Sequence, residues 1–178
     1  MRESNYLTRF ARSEDPLSID GYRSLGGFAG LNAALSLAPR DVTAAVKEAG
    51  LNGRGGAGFD TGTKWSSVPD EKEVYLVCNA DEGEPGTFKD RFLLERAPLL
   101  VLEGIAIAAY AVGARRAFVY IRGEYPFAKK QIEGALAALK QVGFPGSFGP
   151  DGSFDLEIEV KSGGGSYVVG DETALLNS

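Results

Sequence analysis

Two short stretches, Val74 to Cys78 and Ala117 to Ile121, are continuous apolar runs rich in β-prone residues, the pattern of strands covered on both faces. A third is different. Phe154, Leu156, Ile158 and Val160 alternate with Asp155, Glu157, Glu159 and Lys161, which predicts a strand with one wet face or an edge position. Prolines and glycines punctuate the helical stretches. Pro39 opens a helix whose apolar face includes Val42 and Val46 and which ends at Gly50; Pro98 opens one that Gly113 closes; Pro126 opens one running to about Val142. A further helix is expected over Thr87 to Arg96, and a last one from near Asp171. The alternation of strand and helix predicts an α/β fold, a parallel sheet with flanking helices joined by right-handed crossovers.

Residues 1–37 carry no long periodic pattern, being interrupted by Gly26, Gly27 and Gly30, and read as an N-terminal arm with one short helix. Residues 38–178 read as the α/β domain. Helices bury a stripe and strands a face, so the loops after Cys78, Ile121 and Lys161, at the carboxyl ends of the strands, are where ligand chemistry is expected.

Charge and composition narrow that chemistry. A net charge of −5 over 178 residues argues against nucleic-acid binding, which depends on Lys and Arg neutralising phosphates. An anionic ligand would have to be held locally, by backbone amides or a few placed cations. One cysteine, Cys78, excludes an internal disulfide and any all-cysteine metal or iron–sulfur site built from these residues alone. With no histidine, the commonest general base is missing, whereas hydride transfer to a bound cofactor stays open because the cofactor supplies the reactive atom. The polar stretch Met1 to Phe10 does not resemble a secretory signal, and Leu99 to Gly113 is too short to cross a bilayer, so a cytoplasmic setting without direct membrane insertion is expected.

Three loops stand out. Gly53-Arg54-Gly55-Gly56-Ala57-Gly58 matches G-x-G-x-x-G formally, but a helix rather than a strand precedes it, so the dinucleotide fingerprint does not apply. Its glycines still let amides approach a flat or phosphorylated ligand, with Arg54 and Lys64 adding charge; a surface turn is the other reading. Asn79-Ala80-Asp81-Glu82-Gly83-Glu84 suits sugar hydroxyls, a heterocycle edge or a hard cation such as Mg²⁺, or is a solvated acidic turn. Gly163 to Thr173 combines a close-approach backbone, Tyr167 and a helix start at Asp171 and Glu172; it fits a planar anionic cofactor, or else Tyr167 is core and the acids are ordinary helix-start residues. Trp65 and Cys78 read as packing residues, and Arg122 with Glu124 as a pair within their loop.

Taken together, Gly50 to Phe59, Lys64-Trp65-Ser66, Cys78 to Arg91, Ile121 to Tyr125 and Gly170 to Leu176 resemble one family closely, over nearly the whole chain from Leu7. It is the NADH-binding flavoprotein subunit of respiratory complex I, also called the 51 kDa subunit, with the related diaphorase subunits of NAD-linked hydrogenases and formate dehydrogenases. The resemblance implies a Rossmann-like FMN-binding domain that oxidises NADH by hydride transfer to FMN within a larger electron-transfer assembly. By matching motif positions it implies Gly53, Arg54, Gly55, Gly56 and Lys64 at the FMN phosphate and neighbouring pocket, and Asn79, Asp81 and Glu82 on the flavin and its ribityl chain. It also implies Phe59, Lys64, Glu84, Tyr167 and Glu172 at NADH, with Gly170 and Asp171 completing the cofactor-binding set. Catalysis would belong to the cofactor, with no catalytic side chain and no metal. Val169 stands where the family has Cys, Asp171 where it has Glu, and Ser67 where a larger apolar residue is common. The family's cluster-binding domain is not in this sequence, so no iron–sulfur cluster and a partial flavin pocket, truncated at the C-terminus, are expected. Two further readings remain: a non-catalytic fragment serving as a binding or assembly module, and a Mg²⁺-dependent phosphoryl enzyme using the acidic loop.

Overall fold

A computed structural model describes residues 7–69, 73–144, 154–164 and 175. Three parallel strands, β1 (Tyr75–Ala80), β2 (Arg116–Ile121) and β3 (Glu157–Ser162), lie side by side in that order. The first crossover carries α5 (Lys89–Arg96) and α6 (Pro98–Val112), the second α7 (Pro126–Gln141). α6 packs on β1 and β2, and α7 on β3 and α6. The expected α/β architecture is therefore present, and the proline-opened helices begin at the positions their sequence predicts. α6 closes on Gly113 in the left-handed region, at φ 74°, where a residue without Cβ is needed.

The strands differ from expectation at their ends. β1 takes in Asn79 and Ala80, placed in the loop by their composition, because they pair with Tyr120 and Ile121 of β2. Pairing with a neighbour overrides the low β-propensity of Asn. β3 begins at Glu157, three residues later than the alternation suggests. Phe154 instead meets Tyr110 of α6 edge-on at 5.4 Å.

One face of the sheet carries Leu76, Cys78, Ala117, Val119, Ile121, Ile158 and Val160 into the main core under α6 and α7. Among the described residues, the opposite face is less covered than two continuous apolar runs imply. Among the described residues, Leu175 packs there with Tyr120 and Val77. Further along, Tyr75 is 46% exposed. The Arg116 guanidinium lies 5.8 Å from the Tyr75 ring and 5.7 Å from that of Phe118, and it pairs with Glu157 and Glu159 of β3. Such solvent-screened pairs contribute little each. The buried apolar face therefore dominates sheet stability.

The N-terminal segment contains more structure than the single helix expected. Within residues 1–37 a 3₁₀ turn (Phe10–Arg12) precedes α1 (Ile19–Ser24) and α2 (Ala29–Leu35); the expected α3 (Pro39–Glu48) follows, and then α4 (Thr61–Ser66). Gly26 and Gly27, which break the sequence pattern, form the turn between α1 and α2. Phe10, Tyr22, Phe28, Leu31 and Leu35 join the same core cluster as α6 and α7. α4 begins inside the stretch Gly53 to Gly62, whose glycines read as a loop, and a local cap starts it: the Asp60 carboxylate accepts from the Thr63 amide at 2.6 Å.

Candidate functional site

The carboxyl ends of the three strands are knitted together by the residues just beyond them. The Arg122 amide donates to the Ala80 carbonyl at 3.3 Å, and the Gly163 amide to that of Ile121 at 2.7 Å. Gly123 and Gly163 meet so closely that a Cβ on Gly123 would lie 2.5 Å from the Gly163 carbonyl oxygen. A Cβ on Gly163 would come 2.9 Å from the Tyr120 ring and 3.4 Å from Asp81 Oδ2. The loops after β1, β2 and β3 thus share one locus, with Asp81, Tyr120, Gly123 and Gly163 in it.

Arg122 holds this locus. Its Nη1 donates to the Glu82 carbonyl at 2.9 Å, and its Nε lies 3.2 Å from Glu124, which gives the expected loop pair a second partner. Glu82 turns the opposite way from solvent, its side chain only 2% exposed. Its two carboxylate oxygens accept from the Asp90 and Arg91 amides at 3.0 and 3.2 Å, the first turn of α5. Lys89 Nζ, at 3.8 Å, and the Tyr125 hydroxyl, at 3.5 Å, complete its surroundings. Glu82 therefore caps α5 and fixes the acidic loop to it. Lys89, Arg91 and Tyr125 were not singled out from sequence. The signal was there, because two cations in the first turn of a helix oppose its dipole unless a carboxylate lies close by.

Asp81 is the group left over. Its Oδ2 is shielded from solvent and has no hydrogen-bond partner among the described residues. Burial pushes its carboxyl above the usual range, the Arg122 charge opposing and the Glu124 charge adding to the rise. In the unfolded chain an aspartate titrates at about 3.9. A raised value in the fold means the folded state holds the proton longer, so this contribution to stability is present below the ordinary value and is lost as pH rises from there through the raised value of the folded state. Asp81→Asn removes the buried charge, and the variant is expected to be no less stable than the parent at neutral pH. Urea titrations at acid and neutral pH measure it, and a variant that loses stability at neutral pH contradicts this account.

Asn79 sits at the end of β1 in register with Tyr120 and Lys161, its Oδ1 accepting from the Asp81 amide at 3.1 Å. Glu84 is exposed in the following turn, where its carbonyl accepts from the Thr87 amide and hydroxyl at 3.2 and 2.7 Å. Cys78, on the core side of β1, is half-buried, and desolvation by the packing around it pushes its thiol up to about 11. Native protein is accordingly expected to resist iodoacetamide at pH 8, while the urea-unfolded chain reacts fully. Rapid labelling of the folded chain, followed by mass spectrometry, would overturn the packing role. Cys78 also borders an apolar cavity of about 280 Å³ between β1 and α6, with Leu76, Val101, Gly104 and Ile105. Cys78 is its one chemistry-bearing group, on the helix side of the sheet.

The glycine-rich segment forms a hairpin between α3 and α4. Asn52 and Asp60 make an antiparallel bridge, Gly53 N–H donates to Phe59 O at 2.8 Å, and Thr61 N–H to Leu51 O at 2.8 Å. Gly56 at φ 128° and Gly58 at φ 63° require glycine at the tip. Arg54 Nη1 folds back onto the Asn52 carbonyl at 2.7 Å. Phe59 is 59% exposed, and Lys64 is exposed in the last turn of α4. Ser67 follows as the C-terminal cap of α4, its hydroxyl donating to the Lys64 carbonyl at 2.8 Å.

The sequence-derived residues thus fall into two groups. Asn79, Asp81 and Glu82 are brought together above the sheet. Gly53, Arg54, Gly55, Gly56, Phe59 and Lys64 share the hairpin and α4. Both groups are tied to α6, which packs against β1 and against α3 and α4. Tyr167, Gly170, Asp171 and Glu172 lie outside the described residues, as does Val169. Among the described residues, no group of three acidic or cysteine side chains is placed to hold a metal ion, and no helix is long and apolar enough to cross a membrane.

A family model described as the Nuo51 FMN-binding domain matches residues 46–178. An NADH-quinone oxidoreductase subunit of Aquifex aeolicus is 46% identical over 175 residues, which cover 98% of this chain and 41% of the relative. The alpha subunit of the NAD-reducing hydrogenase HoxS of Cupriavidus necator is 44% identical, across 100% of this chain and 29% of its own length. Among solved structures, an NAD⁺-reducing [NiFe]-hydrogenase in the H₂-reduced state superposes with TM-score 0.71 at 41% identity, covering 82% of this chain and 26% of that one. The chain therefore spans about two fifths of the Aquifex relative and less of the hydrogenase chains.

Proposed function

The chain belongs to the Nuo51 FMN-binding domain family, and from that premise we propose that it forms the flavin-holding part of an NADH-oxidising subunit in a larger electron-transfer assembly. The observation that carries the reading is the Asp81 oxygen, buried without a hydrogen-bond partner among the described residues where the three strand-end loops meet. A buried acceptor of this kind is costly unless a donor completes it, and the hydroxyls of a ribityl chain are such donors. Parallel α/β sheets bind nucleotides at this end.

The remaining roles follow from where each residue sits. The amides of Gly55 and Gly56, with Arg54 and Lys64, would hold the FMN phosphate in a chain whose net charge is negative, while the Gly53 amide closes the hairpin on Phe59. Asn79 and Asp81 would hold the ring edge and ribityl chain. Glu82 would serve the site by fixing the acidic loop, since α5 amides occupy both of its oxygens. Phe59, Lys64 and Glu84 would meet NADH, and Tyr167, Gly170, Asp171 and Glu172 would complete the pocket. Bound FMN would supply the hydride acceptor, and the polypeptide supplies position and electrostatics. The partners of this reading are NADH and the other subunits of a complex I-like or diaphorase assembly, in a cytoplasmic setting.

The test is to purify the chain, titrate FMN by flavin fluorescence, and add NADH anaerobically. Retained flavin whose visible absorbance bleaches is the expected result. A folded chain that leaves FMN in solution sinks the flavin reading and favours the non-catalytic assembly module.

A further inference from the structure

α6 is strongly apolar, yet two polar side chains seven residues apart interrupt the face it turns to α2. Glu103, 5% exposed, accepts from the Phe28 amide at 2.8 Å, the Leu31 amide at 2.9 Å and the Tyr22 hydroxyl. Both amides belong to the N-terminal turn of α2. Phe28, its N-cap, has φ 64° and is the one non-glycine with positive φ among the described residues. Two turns further along α6, the Tyr110 hydroxyl donates to the Leu37 carbonyl at 2.8 Å, just beyond the last residue of α2. A carboxylate thus meets the amides that α2 leaves unpaired at its start, and a donor ties down the backbone just past its C-terminal cap. The fit is close: a Cβ on Gly30 would lie 3.1 Å from Glu103 Oε1 and 3.5 Å from Ile107.

α2 leads within four residues into α3, α3 packs on α4, and the glycine-rich hairpin hangs between those two helices. α3, α4 and the sheet also pack on α6. We propose that Glu103 and Tyr110 are positioning residues: a two-point clamp through which α6 sets α2, and with it α3, α4 and the hairpin, against the sheet. The functional consequence rests on the hairpin being the cradle of the FMN phosphate. Releasing the clamp would then weaken FMN binding while the strands stay intact.

Hydrogen exchange and FMN titration on the 178-residue chain, comparing Tyr110→Phe, Glu103→Gln and the double variant with the parent, test this. Tyr110→Phe keeps the ring against Phe154 and removes the hydroxyl alone, so it decides the matter if the Glu103 variants do not fold. Expected are faster exchange in α2, α3, residues 51–61 and α4, unchanged protection in β1 to β3, and FMN affinity lower by about tenfold in the double variant, equivalent to 1.4 kcal/mol. Faster exchange spread equally over the strands, loosening that stops at α2, or a loosened hairpin with unaltered FMN affinity each overturns the proposal. If the parent chain itself binds no FMN, the flavin reading fails, and the exchange map alone decides whether the clamp reaches the hairpin.

Discussion

Gly62→Ala is expected to destabilise the chain by about 3 kcal/mol, the upper end of what overpacking a close contact costs. A Cβ at this position would lie 2.4 Å from the Lys47 Cα and 2.5 Å from its backbone nitrogen. Against the tip of a flexible side chain such a clash relaxes cheaply, but here the obstacle is the main chain of α3, and α3 and α4 would have to move apart. Because the hairpin spans those two helices, FMN binding should fall along with stability. Urea unfolding of the variant measures the first effect and flavin fluorescence the second. Stability within about 0.5 kcal/mol of the parent, the range of an ordinary surface substitution, would show that the α3–α4 contact is not tight in solution.

The second large effect is expected at Glu82. Truncation to alanine leaves the Asp90 and Arg91 amides of α5 without their acceptor, while Lys89 keeps its closer pair with Asp90. Losing a buried acceptor costs about 1–3 kcal/mol, with α5 the first element to loosen. Glu82→Gln keeps one carbonyl oxygen for one amide but turns an NH₂ group toward the other donor, so it should fall between alanine and the parent. This ordering separates the cap from a direct cofactor contact. If Glu82 served mainly as a flavin ligand, alanine would cost affinity and leave flavin-free stability unchanged, whereas the cap requires stability to drop with no flavin present. Urea unfolding of both variants, with and without FMN, distinguishes the two.

These predictions rest on features of unequal visibility in the chain. The strand–helix order, the parallel sheet and the starts of α3, α6 and α7 were legible because their signals are local: an apolar run, a proline at the first turn, a glycine past the last. The candidate site was legible as loops of unusual composition and, for its identity, as a family resemblance resting on motifs in a fixed order. What each residue of those loops touches was not. Glu82 reads as a solvent-facing acid in an acidic stretch, yet it is buried, because the helix it caps begins seven residues later and folds back over it. Asp81, its neighbour with the same chemistry, is the one left with a buried oxygen lacking a hydrogen-bond partner among the described residues.

Separation along the chain sets the same limit elsewhere. Nothing near Glu103 distinguishes it from an acid interrupting an apolar helix, since its partners lie 72 to 81 residues away. The two short helices of the N-terminal segment escape a periodicity reading because six or seven residues hold barely two turns, and such helices persist through the core they pack on. By itself, the amino-acid order determined where the three strands and the longer helices form and where ligand-binding loops must fall, since backbone preference and hydrophobic period act over a few residues. The tertiary structure alone decided which carboxylate is a cap, which is a clamp and which is left for a ligand, because burial and hydrogen-bond partners come from residues that meet only once the chain has folded.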